Sequence, residues 1–273
     1  MPILRRIVYA FGMTPTLVFD IETIPDTSGL RALLDLPVSA TDEDVANVAF
    51  HLRRQQNGTD FLPLQQHKIC AISCALREGN NFKVWTLGDA DSTEAEIIQR
   101  FFDGIEKYTP QIISWNGGGF DLPVLHYRAM INKVQAPRYW DLGEDDKDFK
   151  WNNYISRYHM RHLDLMDVLA MFNARANAPL DDIAQLCGFP GKLGMDGSKV
   201  WDAFKAGEIE AIRNYCETDV ANTHLVFLRF QLMRGHLNHA SYEAEIKLVR
   251  ETLASYALDN KSPHWTEFLA AWK

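Results

Sequence analysis

A short apolar run near the start of the chain carries two acids and predicts a buried strand. Residues 17–23 read LVFDIET and lie between Pro15 and Pro25, a pattern typical of a largely buried strand. Because side chains alternate along a strand, Asp20 and Glu22 are predicted to project from the same face, within reach of one shared cation. Two acids in a core cost free energy unless a positive group neutralises them, as a divalent metal with oxygen ligands would. The alternative is a pair of solvated acids at a strand end.

The segment 24–67 after this strand is interpreted as an insertion that holds one helix. Thr41 and Asp44 resemble the two polar positions of a capping box, and apolar residues follow at positions 45, 48, 49 and 52, which is helical spacing. We therefore predict a helix beside the carboxylate strand. Two roles are open for it, to cover the site or only to pack against its neighbours.

The next part of the chain alternates strand and helix patterns. Residues 69–76 and 81–87 are predicted strands joined by a Gly-Asn hairpin turn, and with the first strand they suggest a meander. Residues 94–108 carry apolar positions at helical spacing, and 112–115 form another short buried strand. This alternation predicts an α/β fold, a mixed sheet covered by helices.

A glycine-rich turn follows the strand 112–115. Residues 116–123 read NGGGFDLP, and glycines let a backbone turn sharply and approach a ligand closely. Asp121, followed by Pro123, suits the first turn of a helix that runs through Met130. A third acid is thus predicted at a strand-to-helix turn, where open α/β sheets usually place their sites. A phosphate loop is excluded, because no Gly-Lys-Ser or Gly-Lys-Thr follows the glycines.

The segment 133–161 is a second insertion, in which aromatic residues are interleaved with basic ones. Such a mixture suits stacking on exposed bases with phosphates held alongside. The other interpretation is an ordinary surface insertion with its own small apolar cluster. Its aromatic residues include Tyr139, Trp140, Phe149, Trp151, Tyr154 and Tyr158.

A long helix late in the chain supplies the fourth acid. Strand and helix patterns resume at 162–167, and the loop 191–199, rich in Gly and Lys, either contacts phosphate or is a plain connector. The pattern then predicts a helix over 208–234, on which Tyr215 and Asp219 lie four residues apart and hence on one face. Such a pair occurs by chance in many helices, so its meaning depends on the acids that precede it.

Length and composition are those of a globular chain. With 273 residues, 47% of them hydrophobic and 23% charged, the chain suits one large α/β domain or two small ones, and we favour one. No apolar run approaches the roughly 18 residues that a membrane span requires. Residues 1–13 resemble a signal peptide but run into the first strand without a small-residue cleavage site, so export is not expected. The four cysteines lie scattered in apolar segments, which indicates reduced core residues of a cytoplasmic protein.

The overall charge limits the kind of nucleic-acid contact that the chain can make. A formal net charge of −8 argues against a broad basic surface that grips duplex nucleic acid. A polyanionic substrate must then be held locally. Bound divalent cations would make one pocket attractive within an acidic protein.

The acids occur in a recognisable order along the chain: Asp20-x-Glu22 on a first strand, Asp121 after Asn116-Gly-Gly-Gly-Phe120, and Tyr215-x-x-x-Asp219 on a late helix. This set resembles the DEDD superfamily of 3′-5′ exonucleases, in the branch whose third motif carries tyrosine (DEDDy). It is most similar to the predicted exonucleases related to the proofreading domain of family B DNA polymerases. The likeness covers nearly the whole chain, including Leu163-Asp164-Leu165-Met166 and the loop 191–199. Each motif alone is weak, but the ordered set is specific.

The resemblance implies a ribonuclease H-like fold and a single, free-standing exonuclease domain over 1–273, with C-terminal helices at about 240–272. It also implies a hydrolase that holds two divalent ions, Mg²⁺ or Mn²⁺, on its four acids: Asp20, which bridges both ions, Glu22, Asp121 and Asp219. Two metals can stabilise the attacking water, the leaving oxygen and the extra charge on a phosphodiester. The main role of Tyr215 is then to orient the water, and proton transfer is its secondary role. A free phenol has a pKa of about 10 and is therefore a poor base at neutral pH.

The resemblance implies a substrate as well, the 3′ end of single-stranded nucleic acid, from which nucleoside 5′-monophosphates are removed, with DNA favoured. Thr23, Asn116 and Phe120 match motif positions that frame the terminal nucleotide. Asp164 matches a recurrent acid of the polymerase-related group, and a structural role is open for it. Two alternatives remain: an RNA-trimming exonuclease of the same fold, since discrimination rests on the 2′-hydroxyl, and a non-catalytic nucleic-acid-binding module.

Overall fold

The computed structural model describes residues 14–258 and 262–273. The segment 1–13, on which the expectation about export rests, lies outside these residues. No helix in the described ranges is long and apolar enough to cross a bilayer. The elements, in chain order, are β1 (Thr16–Pro25), α1 (Thr27–Leu33), α2 (Asp42–Asn57), β2 (His67–Glu78), β3 (Asn81–Thr86), α3 (Glu94–Tyr108), β4 (Gln111–Ser114), α4 (Asp121–Ile131), α5 (Pro137–Trp140), β5 (His162–Asp164), α6 (Leu165–Leu169), α7 (Leu180–Leu186), α8 (Val200–Lys205), α9 (Ile209–Met233), α10 (His239–Ala257) and α11 (His264–Ala271).

The five strands form one mixed sheet in the order β3-β2-β1-β4-β5. β1, β2 and β3 are antiparallel neighbours, as the meander pattern predicts. β4 and β5 run parallel to β1, because helical connections return the chain to the same end of the sheet. The carboxylate strand β1 therefore lies at the centre of the sheet, with partners on both sides.

Helices cover both faces of the sheet, and the alternation along β1 decides which residue meets which layer. Phe19 packs against the α3 side, where its ring lies 5.0 Å from that of Phe101. Val18 belongs to the opposite apolar cluster, which α9, α10 and α11 share. Since side chains alternate along β1, Asp20 and Glu22 lie on the face toward α9. The α/β prediction of a mixed sheet flanked by helices is confirmed.

The first insertion forms a small helical unit of its own. The capping box of Thr41 and Asp44 is present at the start of α2, where the sequence predicts it. α2 packs against the unpredicted helix α1 through a cluster that includes Leu30, Val45 and Leu62. The insertion is therefore anchored by its own core, and its last loop leads back toward β2.

The second insertion divides its aromatic residues into two groups. Tyr139, Phe149 and Tyr154 are buried and extend the apolar cluster beneath α3 and α4. The rings of Tyr139 and Tyr154 stack with their centroids 5.4 Å apart. Trp151 and Tyr158, in contrast, are 77% and 78% exposed. The apolar cluster predicted for this segment is thus continuous with the main core.

Candidate active site

The first two acids lie on β1, where a β-bulge follows them. The register of β1 against β2 shifts between Glu22 and Thr23. Asp20 and Glu22 each offer a carboxylate oxygen in a group whose third member is the thiol of Cys216, and the three ligand atoms lie within 4.8 Å of one another. The Cys216 thiol lies 3.6 Å from Asp20 Oδ2. The sequence analysis missed Cys216, although the position next to Tyr215 on a predicted helix was a signal.

The third acid is attached to the same strand by a hydrogen bond. The backbone N–H of Ile21, which lies between the two strand acids, donates to Asp121 Oδ1 at 3.2 Å. Asp121 is buried at the first turn of α4, as predicted. The turn before it needs its glycines, because a Cβ on Gly117 would collide with the side chain of Ser114.

Asp164 holds the glycine-rich turn in place. Its carboxylate accepts from the backbone N–H of Asn116 at 3.0 Å and from that of Gly118 at 2.8 Å. It also accepts from Met166 N and Asp167 N and so caps α6. Asp164 thereby connects the end of β5 to the loop that leads to Asp121.

The fourth acid and the tyrosine lie on one face of α9, as their spacing predicts. Both Tyr215 and Asp219 are buried, and they interact: the phenol lowers the pKa of Asp219 against the larger effect of burial, and the charge of Asp219 adds to burial in raising the pKa of the phenol. Asp219 Oδ1 is buried and has no hydrogen-bond partner in the described part of the chain. Such an oxygen is costly to bury unless a ligand meets it.

The four acids repel one another strongly. Burial raises the pKa of Asp20 well above its ordinary value, and the charges of Asp121, Glu22 and Asp219 raise it further. The pKa of Glu22 is raised by burial and by two of the same neighbours, Asp219 and Asp121. Burial raises the pKa of Asp121 to about 7 and that of Asp219 to about 6. The four predicted acids are therefore brought into one electrostatic group.

The loop 191–199 contributes a positive charge to this group. The Lys192 ammonium lies 5.5 Å from the centroid of the Tyr215 ring. Its charge lowers the pKa of Glu22 and of Asp219 against the larger effect of burial. Lys192 is a further residue that the sequence analysis did not single out within its loop.

The donor set suits hard divalent cations. Carboxylate oxygens are the ligands that Mg²⁺ and Mn²⁺ prefer, and none of the ion pairs among residues 14–258 and 262–273 involves these four acids. The partnerless Asp219 Oδ1 is consistent with a ligand position. Burial, with the charge of Asp20 next, raises the pKa of Cys216 well above its ordinary value. Its protonated thiol therefore acts as a neighbour of Asp20 and not as a ligand for a hard ion.

Of the three residues predicted to frame a terminal nucleotide, Thr23 directly follows Glu22, and Asn116 and Phe120 lie in the turn before Asp121. The Thr23 hydroxyl lies 2.9 Å from His67 Nδ1. Asn116 adopts a left-handed backbone conformation with φ +66° at the start of the turn. The Phe120 ring makes an edge contact with His67, with the centroids 5.3 Å apart.

Comparison with known proteins gives one family match and two partial relatives. The family model of the predicted 3′-5′ exonucleases related to the exonuclease domain of PolB matches residues 59–272. A DNA polymerase of Archaeoglobus fulgidus is 26% identical over 136 residues, 49% of this chain and 17% of that protein. DNA polymerase 1 of Sulfurisphaera ohwakuensis is 36% identical over 67 residues, 24% of this chain and 8% of that protein. The matches thus span less than a fifth of either polymerase.

The matched range includes Asp121, Tyr215 and Asp219 but begins after the strand that carries Asp20 and Glu22. The two strand acids therefore enter the site on structural grounds, through the Ile21 hydrogen bond to Asp121 and the mutual repulsion described above. The mixed sheet with flanking helices is consistent with a ribonuclease H-like exonuclease fold. Because the family model covers most of the chain, this protein belongs to the family of predicted 3′-5′ exonucleases related to the exonuclease domain of PolB.

Proposed function

We propose that this chain is a single exonuclease domain that removes nucleoside 5′-monophosphates from the 3′ end of single-stranded nucleic acid, DNA in preference to RNA. The observation that carries the proposal is a group of four acids, with Glu22, Asp121 and Asp219 buried and Asp20 half-buried, that repel one another and share no ion pair among the described residues. Retaining such a group is unfavourable for folding alone, so a ligand of opposite charge is its simplest explanation.

Two divalent ions, Mg²⁺ or Mn²⁺, are the proposed cofactors, and Asp20, Glu22, Asp121 and Asp219 would hold them. When bound, such ions activate water and stabilise negative charge on the phosphate and on the leaving oxygen. In the net reaction, water adds to the phosphorus, the bond from phosphorus to the 3′ oxygen breaks, and that oxygen takes up a proton. The products are a nucleoside 5′-monophosphate and a strand shortened by one nucleotide with a new 3′-hydroxyl.

Tyr215 is proposed to orient the attacking water. Burial and the charges of Asp219 and Glu22 raise the pKa of its phenol far above the ordinary value, so the phenol stays protonated at neutral pH. A protonated phenol both donates and accepts hydrogen bonds, and it lies on the same helix face as Asp219, one turn away. Orientation is therefore its first role. The nearby Lys192 ammonium would meet the negative charge of the scissile phosphate.

Thr23, Asn116 and Phe120 are proposed to frame the terminal nucleotide, while Asp164 positions the turn that carries two of them. The hydrogen bonds from Asn116 N and Gly118 N to the Asp164 carboxylate support this division of roles. A cytoplasmic location is part of the proposal, since the four cysteines are free in the structure.

The test is the release of mononucleotides from matched DNA and RNA oligonucleotides that carry a 5′ label. We expect stepwise shortening from the 3′ end, dependent on Mg²⁺ or Mn²⁺ and abolished by EDTA, with DNA cleaved faster. Faster cleavage of RNA would instead support an exoribonuclease of the same fold. Binding of the oligonucleotide without any release of mononucleotides, with either metal, would contradict the proposal and favour a binding module.

A further inference from the structure

A half-exposed aromatic side chain from the first insertion lies beside the residues proposed to frame the terminal nucleotide. Phe61 follows α2 and remains 53% exposed. Its ring centroid lies 5.7 Å from that of Phe120 and 5.2 Å from that of His67. His67 and Phe120 also contact each other, so the three rings form a closed triangle. Two neighbours thus contact the Phe61 ring, while about half of the residue stays exposed to solvent.

The backbone of the loop that carries Phe61 is held by hydrogen bonds and by the burial of the next residue. The Phe61 carbonyl accepts from Arg53 Nε at 2.9 Å, and the Phe61 N–H donates to Thr59 Oγ1 at 3.1 Å. The next residue, Leu62, is buried in the cluster between α1 and α2. The ring is therefore presented from an anchored loop, which lowers the entropy lost when a ligand stacks on it.

His67 connects this loop to the strand of the acids. The His67 Nε2 lies 3.1 Å from the Leu62 carbonyl oxygen, which can only accept a hydrogen bond. With the proton on Nε2, Nδ1 accepts a hydrogen bond from the hydroxyl of Thr23, the residue that directly follows Glu22 in the chain. Burial lowers the pKa of His67, which agrees with the neutral ring that this arrangement needs. Phe61 is thus joined to β1 through His67 and to the Asp121 turn through Phe120.

We propose that Phe61 is a stacking platform for a base within the last three nucleotides of the substrate strand. This inference rests on the proposed function and names how the first insertion takes part in it. Stacking of a base on an aromatic side chain contributes about 1–3 kcal/mol and tolerates any base, because every base has a π face. The alternative is that Phe61 only covers His67, and an apolar side chain without a flat ring would cover it equally well.

The experiment is a double-mutant cycle between residue 61 and the bases of the substrate. Phe61→Leu keeps apolar contact with His67 and removes the flat face. kcat and KM are measured with Mg²⁺ on single-stranded DNA oligonucleotides in which one of the last three nucleotides is replaced by an abasic tetrahydrofuran residue. We expect Phe61→Leu to lower kcat/KM on the intact oligonucleotide about 5- to 160-fold, mainly through KM. At one of the three positions, the abasic substitution should lower the kcat/KM of the wild type but not that of Phe61→Leu. Phe61→Trp should show the same kcat/KM values as the wild type.

Two controls make the outcome decisive. Trp151→Leu removes an aromatic residue that is 77% exposed in the second insertion, and it should leave kcat/KM unchanged. Thymidine 5′-(p-nitrophenyl phosphate) carries only the terminal base, so wild type and Phe61→Leu should hydrolyse it equally when the coupled position is the second or third nucleotide, and the variant should hydrolyse it more slowly when that position is the last nucleotide. Independent effects of Phe61→Leu and the abasic residue at all three positions, or coupling to Trp151 instead, would overturn the inference. A wild-type chain that hydrolyses neither substrate with Mg²⁺ or Mn²⁺ refutes the proposed function, and this inference with it.

Discussion

Two groups of largely buried acids lie in the described part of the chain, and they differ in what surrounds them. Glu94 and Asp26 enclose the buried guanidinium of Arg128, with nitrogen–oxygen distances of 2.6 Å to each acid. Glu94 also accepts from Ile69 N at 2.7 Å and from Asn132 Nδ2 at 2.9 Å. These acids are satisfied by the chain itself, and they tie α1, β2, α3 and α4 together.

The four acids around β1 have no such arrangement. Burial, and then their mutual charges, raise the pKa of Asp20 and of Glu22, and Asp219 Oδ1 lacks a hydrogen-bond partner within the described ranges. A paired buried acid serves the fold, whereas an unpaired group of acids is unfavourable until a cation binds. We therefore expect substitutions in the paired group to lower the stability of the fold and substitutions in the unpaired group to lower hydrolysis.

The largest effect is expected at the unpaired group. Asp20→Asn keeps the shape of the side chain and removes a charge that three other acids oppose, so we expect Mg²⁺-dependent hydrolysis to fall about 10³-fold or more. In EDTA the same change should raise Tm, because repulsion is relieved. Single-turnover kinetics and thermal unfolding in EDTA measure the two effects. A variant that keeps its rate would contradict the role of Asp20.

The paired group should give the opposite result. Arg128→Met leaves Glu94 and Asp26 buried without their cation, so the free energy of unfolding should fall by about 3–5 kcal/mol. Urea unfolding measures this change. Hydrolysis per folded molecule should persist at low temperature, and Arg128→Met combined with Glu94→Gln should recover part of the loss. Loss of hydrolysis in a fully folded variant would show that the two groups are not separate.

Tyr215→Phe tests the site without altering its charge. The phenyl ring keeps the packing near Lys192 and loses only the hydroxyl, which lowers the pKa of Asp219. Cleavage should slow about 10²-fold because the water is no longer oriented, while the affinity for Mn²⁺ is kept. Single-turnover rates and calorimetric titration with Mn²⁺ provide the two measurements. Unchanged turnover would refute the proposed role.

Sequence patterns predicted features that depend on neighbouring residues, and they did not predict contacts between distant segments. Alternation placed Asp20 and Glu22 on one face, and the Thr41–Asp44 capping box marked the start of α2, since both patterns are local. Contacts between distant segments left no comparable signal. Cys216 reaches Asp20 across 196 positions, and Gly118 N meets Asp164 across 46. Such pairs depend on how helices dock on the sheet, which periodicity does not encode.

The exposure of Phe61 was beyond sequence reasoning for the same reason. Its neighbours in the chain read as an ordinary loop after α2, and its position near Phe120 arises from the packing of α1 and α2. The second insertion shows the converse, since its aromatic pattern is uniform while Tyr139 is buried and Trp151 exposed. Composition identifies aromatic residues, but only the tertiary fold decides which of them face solvent.

The unpaired acids should also make the stability depend on pH and metal. In the folded chain the pKa of Asp121 is about 7 and that of Asp219 about 6, both above the ordinary value for an aspartate. An acid with a raised folded pKa contributes stability that is present at low pH and is lost as the pH rises through that value. In EDTA, Tm should therefore fall between pH 5 and pH 8. Mg²⁺ at a fixed concentration, about 100 times its Kd at pH 8, should add about 2.7 kcal/mol at pH 8 and less at pH 5, since protons compete for the ligands. A metal effect independent of pH would contradict this linkage.

His224 offers the smallest test, because it is buried and unsatisfied without belonging to either group. Neither ring nitrogen has a hydrogen-bond partner among the described residues, and the ring lies 4.6 Å from that of Phe82. His224→Leu should raise the free energy of unfolding by about 1 kcal/mol at pH 8, because two unsatisfied polar atoms are removed.

Burial lowers the folded pKa of His224 to about 3, below the ordinary histidine value. Below about pH 6.5 the His224 ring therefore binds a proton in the unfolded chain but not in the folded chain. The wild type loses stability as the pH falls. Urea unfolding at pH 8 and pH 5 should show a larger gain for His224→Leu at pH 5, with hydrolysis unchanged. A gain equal at both pH values would mean that the folded ring accepts its proton. His224 would then be a satisfied core residue, in contrast to Asp219, whose Oδ1 has no hydrogen-bond partner in the described part of the chain.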